Sequence, residues 1–308
     1  MADMLLFDAA CNIITRTRIF LILLGVLATN SSFAGPEPSP SSKDLVSESI
    51  APIAEVPTAR TSRGLITFEG PSGMFINPTS ATLPEGTFIL NYCLLVPTVP
   101  EGVGVVGHWV LLSYGVRDWL ELGFIGNLID VSLDGPPARE DSVIIAGPMA
   151  RIRLLRDREW WPELSVGAYA KFGTPTNLAN GKNAFIAVSK TFPIAENGFL
   201  KTVTLQSGFR EAWLDDEAPV SNISRAYGGV EVQLPWHFYA IGEISQRDDR
   251  VDSHIPWAAG FQWRGKWFGC TIAALQFGGE DAPGFYFGVG GGMGAEPVRT
   301  SSNPPPDR

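Results

Sequence analysis

Lys201-Thr-Val-Thr-Leu-Gln-Ser-Gly-Phe-Arg210 is the stretch on which the fold turns. In an extended chain Val203, Leu205 and Phe209 stand on one face, and Thr202, Thr204, Gln206 and Arg210 on the other, because strand side chains alternate sides with a period of two. Outward from it the pattern recurs. Leu164, Val166, Ala168, Ala170 and Phe172 alternate with Ser165, Gly167, Tyr169 and Lys171. Val230, Val232 and Leu234 alternate with Gly229, Glu231 and Gln233, and Trp257, Ala259, Phe261 and Trp263 with Ala258, Gly260, Gln262 and Arg264. Between residues 185 and 192 the alternation blurs, with Lys190 on the more apolar face.

From Gly64 onward about twelve segments of roughly 8–13 residues are rich in β-branched and aromatic side chains and are separated by Gly, Pro, Asp and Asn clusters. They begin near Thr87, Val105, Trp119, Val143, Leu164, Ala184, Lys201, Arg225, Phe238, Trp257, Lys266 and Gly284. A soluble sandwich would alternate too, so three further features decide for a membrane. The apolar faces carry many small residues (Ala168, Ala170, Ala226, Ala240, Ala259), a poor surface for a dense core but adequate against lipid. The segments approach the 9–11 residues of a tilted membrane strand and exceed the usual soluble strand. Trp119, Trp160, Trp161, Trp213, Trp236, Trp257, Trp263 and Trp267 lie towards segment ends, as girdles at two membrane interfaces require, although a tryptophan taken singly is as often a core residue. Residues 102–116, the uncharged stretch after the signal region that most invites a membrane helix, are too short and too rich in Gly for one. The expectation is an all-β fold, a closed antiparallel up-and-down transmembrane β-barrel of about 12 strands.

Charge placement then follows from the register. Arg or Lys on the lipid face near the midplane costs about 2–4 kcal/mol, so Glu121, Arg151, Arg153, Lys171, Arg210, Glu231, Glu243 and Arg264 are expected to face the lumen. They would form either a polar conduit or a set of mutually paired charges filling a closed barrel; a barrel of about twelve strands lies between filled and open types.

The N-terminal region reads as an address. Arg16 and Arg18 precede an apolar run over residues 19–28, then a small-residue stretch ending Ser32-Phe33-Ala34, the three regions of a cleavable signal peptide. Residues 1–34 are expected to be that peptide, 35–62 a disordered Pro/Ser-rich arm, 63–294 the barrel and 295–308 a disordered tail. Cys11 would leave with the peptide; Cys93 and Cys270 show no metal spacing and no indicated disulfide.

Composition excludes other classes. The 33 glycines among 308 residues exceed the ~7% average and run through the apolar segments, where each would cost a helix about 1 kcal/mol. A net charge of −9 leaves no basic face for nucleic acid. His108, His237 and His254 lack zinc spacing, and neither a Gly-x-Ser-x-Gly elbow nor a Walker loop occurs. The glycine-rich run 288–294 reads as a close-packed final strand, and Asp215-Asp216-Glu217 and Asp248-Asp249 as solvated loop tips rather than a calcium site. No catalytic site, cofactor or metal is expected, and the chain is not expected to be an enzyme.

The lead-in Gly64-Leu-Ile-Thr-Phe-Glu-Gly-Pro-Ser-Gly-Met-Phe-Ile-Asn-Pro-Thr-Ser-Ala-Thr-Leu-Pro-Glu-Gly-Thr87, with Asn77, Pro78, Thr79, Ala81, Glu85 and Gly86, resembles the start of the YjbH-like family of Gram-negative outer-membrane β-barrels. The hairpin over residues 227–250 and the strand over residues 256–263 resemble that family too. The chain is shorter than full YjbH-type proteins and lacks their lipoprotein cysteine. The resemblance implies involvement with exopolysaccharide. The expected place is the bacterial outer membrane, with membrane lipid as partner and polysaccharide or envelope assembly proteins as further candidates. The functions in view are passage, secretion or assembly of an envelope component; a structural or adhesive barrel with a filled lumen; and a soluble exported β-sandwich.

Overall fold

The computed structural model describes residues 73–99, 103–133, 139–158, 160–174, 181–195, 198–214, 220–265, 267–278 and 282–294. The expected signal peptide, arm and C-terminal tail lie outside them. Twelve strands follow in order: β1 (Phe88–Val96), β2 (Val103–Arg117), β3 (Leu120–Leu133), β4 (Arg139–Leu155), β5 (Glu163–Thr174), β6 (Gly181–Pro193), β7 (Thr202–Leu214), β8 (Asn222–Gln233), β9 (Phe238–Ser245), β10 (Trp257–Arg264), β11 (Phe268–Gln276) and β12 (Gly284–Met293). Each pairs antiparallel with its sequence neighbours, and β1 pairs with β12 to close the barrel. The expected segments map onto these strands one for one. Among the described residues no helix is long and apolar enough to cross a membrane; strands do the crossing.

The alternation read at residues 201–210 is the alternation found. On β7 Leu205 and Phe209 are exposed, while Gln206 and Arg210 are buried. All twelve strands contribute at least one large apolar side chain more than a third exposed, from Leu90 in β1 and Val110 in β2 round to Ile272 in β11 and Phe287 in β12. A continuous apolar belt of that extent is not tolerated in water and is what a bilayer requires of a barrel exterior. This is a transmembrane barrel of the outer-membrane type. Lys190 does point outward with that belt, close to the end of β6, where its ammonium bonds Asp157 at 2.7 Å.

The two rims differ. One is closed by connections 118–119, 156–162, 194–201, 234–237 and 265–267, on average the shorter set, and receives both ends of the barrel, at Phe88 and Met293. It is called the turn end. The other, the loop end, carries connections 97–102, 134–138, 175–180, 215–221, 246–256 and 277–283. Trp119, Trp160, Trp161, Trp236, Trp263 and Trp267 gather at the turn end, Trp213 and Trp257 at the loop end. The ninth tryptophan, Trp109, is fully buried on the inner face of β2.

The structure departs from the sequence reading before β1. Residues 73–87 were expected within the barrel domain as an approach to the first strand, but they form no part of the wall; they lie inside it. Met74, Phe75 and Ile76 are at most 1% exposed. Pro78 and Pro84 each remove a ladder donor, and the segment fills the lumen as irregular chain.

Candidate functional site

The site is the seat of that internal segment. At its base Gly86 adopts φ 74°, and Thr87 N–H donates to Pro84 carbonyl at 3.1 Å to close a turn into β1. Gly115 of β2 lies directly against the carbonyls of Leu83 and Pro84, where any Cβ would collide with backbone. Thr82 donates its hydroxyl to the Asp118 carbonyl at 2.7 Å, and Glu85 N–H donates to the Asp118 carboxylate at 3.1 Å. That backbone donor, together with the nearby Arg156 and Arg153, holds the Asp118 carboxyl below the usual carboxylate range against the opposing effect of partial burial.

From there the segment crosses the lumen and touches one strand after another. Leu83 N–H donates to Glu121 of β3 at 3.1 Å, and Arg151 of β4 donates to the Thr79 carbonyl at 2.6 Å. Arg151 and Glu121 pair with each other at 3.3 Å, with side chains 0% and 1% exposed. Ser80 donates to Glu163 of β5 at 3.1 Å and contacts the Ser189 hydroxyl of β6. Arg153 pairs with Glu163 at 3.4 Å. Tyr227 of β8 donates to the Pro78 carbonyl at 3.0 Å.

The tip is a tight turn clasped by one carboxylate. Met74 N–H donates to the Asn77 carbonyl at 3.2 Å, and Gly73 pairs with Pro78. Glu243 of β9 accepts from the N–H groups of Phe75 (2.9 Å), Ile76 (2.5 Å) and Asn77 (3.0 Å) and from the Asn77 amide at 2.8 Å. Ser245 adds a 3.1 Å contact to the same amide. Successive N–H groups converging on one carboxylate form an anion nest, and charged acceptors make the stronger hydrogen bonds. Phe75 meets Tyr286 of β12 edge-on at 6.3 Å. Gly229 of β8 leaves the space that the Met74 sulfur occupies.

The candidate lumen residues all lie on the buried face of their strands, and the structure divides them into groups. Glu121, Arg151 and Glu243 hold the segment directly, and Arg153 acts through Glu163. Glu231 and Arg264 form a two-pronged pair, with the Arg264 guanidinium 4.0 Å from the Tyr239 ring centre. Lys171 is 1% exposed and lies 5.3 Å from the Tyr169 ring centre. Arg210 is 7% exposed on β7. Glu163 and Arg225 were not among the candidates, although extending the polar faces of Ser165 and of Tyr227 by two residues reaches them.

Arg225 ties down the loop end. Its guanidinium donates to both oxygens of Asp252, at 2.5 and 2.6 Å. Ser253 and His254 N–H donate to the Gly278 carbonyl at 2.7 and 2.8 Å, so connection 246–256 folds against connection 277–283. Burial pushes the Asp252 carboxyl up, against the pull of Arg225. Of the two expected solvated tips, Asp249 is exposed, its side chain 84% accessible, whereas Asp248 accepts Arg250 at 2.6 Å and bonds back into the loop through Asp252. Residues 215–217 lie outside the described residues. Cys93 and Cys270 are free thiols.

On the inner face of β1–β4 towards the loop end the wall is apolar: Leu95, Val105, Trp109, Ile129, Val143 and Ile145 are all at most 5% exposed. This part of the interior is thus packed, in contrast to the open polar lumen of a porin.

No family model and no curated protein sequence matches the chain. Among solved structures it is similar to an outer membrane channel from Pseudomonas putida F1, at 12% identity over 70% of this chain and 98% of that one, TM-score 0.46. It is also similar to the translocator domain of the autotransporter NalP from Neisseria meningitidis, at 11% identity over 68% and 89%, TM-score 0.38. A third likeness is to the Ralstonia pickettii toluene transporter TbuX, at 9% identity over 78% and 98%, TM-score 0.38. At these values the likeness is one of barrel architecture and extends no further.

Proposed function

We propose that the chain is a gated passage across the bacterial outer membrane, closed by its own residues 73–87. Short turns face the periplasm in bacterial barrels, which puts the turn end, and the base of the plug, on the periplasmic side. The observation that carries this reading is the polar seat. A plug that never moved would be held at least as well by apolar packing, since buried ion pairs gain little over well-packed hydrophobic replacements. Here the seat is Glu121, Arg151, Glu163, Ser189, Tyr227 and Glu243, groups that water can satisfy once the plug withdraws. The vacated track would be wettable from the turn end to mid-barrel.

A second reading has its own support. The packed apolar wall of β1–β4 around Trp109 favours a structural or adhesive barrel with a permanently filled lumen. The resemblance of residues 64–87 and 227–263 to YjbH-like barrels supports exopolysaccharide as the component served, with envelope assembly proteins as partners and no catalytic step of the chain's own. Conductance in planar bilayers separates the two readings. The gated passage predicts rare openings of the full chain and sustained conductance after deletion of residues 73–82. Silence of both forms, with folding intact by mobility of boiled and unboiled protein, would leave the filled barrel.

A further inference from the structure

The outward face of β1–β4 carries a polar row where lipid is expected. Tyr92 and His108 are joined by a 2.7 Å hydrogen bond between the phenol oxygen and Nδ1, their rings 6.1 Å apart. His108 Nε2 lies 3.7 Å from Asp130 Oδ2. Ser142 donates to Asp130 Oδ1 at 2.6 Å. The four residues come from four successive strands and sit in one line around the barrel. None is hidden: Tyr92 is 40% exposed, and the His108 and Asp130 side chains are 31% and 48% exposed.

The row rises from within the apolar belt on β1 and β2 to its loop-end margin on β3 and β4. Towards the turn end its outward neighbours are Leu90, Val110, Leu128 and Ile144. Towards the loop end the wall of β1 and β2 turns apolar again, with Leu94, Val96 and Val106. The phenol and the imidazole are thus set within an apolar surface, where desolvated polar groups are costly unless bonded, whereas the next outward residue of β3 beyond Asp130 is the exposed Ser132, so the carboxylate stands at the margin of the belt. The row satisfies itself only along its length. The exposed side of Asp130 still faces outward, where its carboxyl oxygens accept hydrogen bonds from a donor.

We propose that Tyr92, His108, Asp130 and Ser142 form a lipid headgroup site on the outer wall, taking a headgroup that bears hydrogen-bond donors, an ammonium or sugar hydroxyls, with Asp130 as the principal acceptor. It rests on the membrane exterior and not on the plug, so it stands or falls separately from the gating function. Two lipid sources carry that chemistry, an ethanolamine phospholipid and a glycolipid.

The test is native mass spectrometry of the full chain released from micelles containing equal amounts of phosphatidylethanolamine, phosphatidylcholine and rough lipopolysaccharide. Phosphatidylcholine carries the positive charge without the donors. Wild type should retain one donor-bearing lipid about tenfold over phosphatidylcholine, the value of one charge-assisted hydrogen bond. Retention of the ethanolamine lipid identifies the phospholipid source, and retention of lipopolysaccharide the glycolipid. Asp130→Asn should abolish the preference and Tyr92→Phe weaken it, both substitutions preserving shape and checked for folding by gel mobility. Equal retention of all three lipids by wild type, or an unchanged preference in folded Asp130→Asn, would overturn the proposal.

Discussion

Glu243 gathers more of the plug than any other single side chain described, accepting from three consecutive backbone N–H groups and one amide. Glu243→Ala leaves those donors without their acceptor, at about 1–3 kcal/mol for each one left buried and unbonded. The expected outcome is a barrel that still folds but opens at least about tenfold more often in single-channel recordings; unchanged opening would mean that Glu243 does not hold the gate. Asp118 sets a pH response at the other end of the plug. Its folded pKa is depressed by the Glu85 N–H, so its contribution is present above the unfolded value of about 3.9 and lost as pH falls through the lower folded value. The carboxylate is half exposed, so the effect is small. Thermal stability of wild type should therefore show an extra loss below about pH 4 that Asp118→Asn lacks, with both alike near neutrality. Single residues were legible in the sequence where alternation was clean. Glu231 stands between Val230 and Val232, and Arg264 follows Trp263. Which charges hold the plug was not legible, because Glu243 meets Phe75 across 168 positions of sequence and no local pattern encodes that contact.

At the scale of elements, β2 shows the contrast between its two faces. Val110 is 50% exposed and Leu111 fully buried, one residue apart. Val110→Arg should cost about 2–4 kcal/mol against lipid, read as a lower urea midpoint in vesicles, whereas Val110→Leu should leave the midpoint within error. The β8–β9 connection carries strain that the sequence did not announce. Trp236 and His237 both have positive φ, 54° and 65°, a backbone that two-residue hairpins ordinarily fill with Asn-Gly. Substituting Trp236→Asn with His237→Gly should raise the unfolding midpoint, by roughly 1–2 kcal/mol for each residue relieved; a fall would indicate that the Trp236 ring contributes more to the interface than the backbone loses. Strand number and placement were readable because a lipid-facing wall enforces strict alternation on one side. Residues 73–87 were not, because irregular chain inside a barrel has no period; Met74-Phe75-Ile76 between Gly73 and Pro78 is a short apolar cluster that reads equally well as the start of a strand.

For the whole molecule, closure of β1 on β12 leaves no free sheet edge in the bilayer, and the exterior belt with its tryptophans sets the barrel in the membrane. The interior combines a packed apolar wall on β1–β4 with a charged seat extending from β3 to β9, and the plug bridges the two. The most direct test tethers the plug reversibly. Asn77 and Ser245 touch at 3.1 Å, so Asn77→Cys with Ser245→Cys, in a chain with Cys93→Ala and Cys270→Ala, should form a disulfide across the gate. Single-channel recording in planar bilayers should show a silent protein when oxidised and restored openings on addition of a thiol reductant. Identical conductance in the two states, with the crosslink verified by mass, would contradict a lumen gated by residues 73–87.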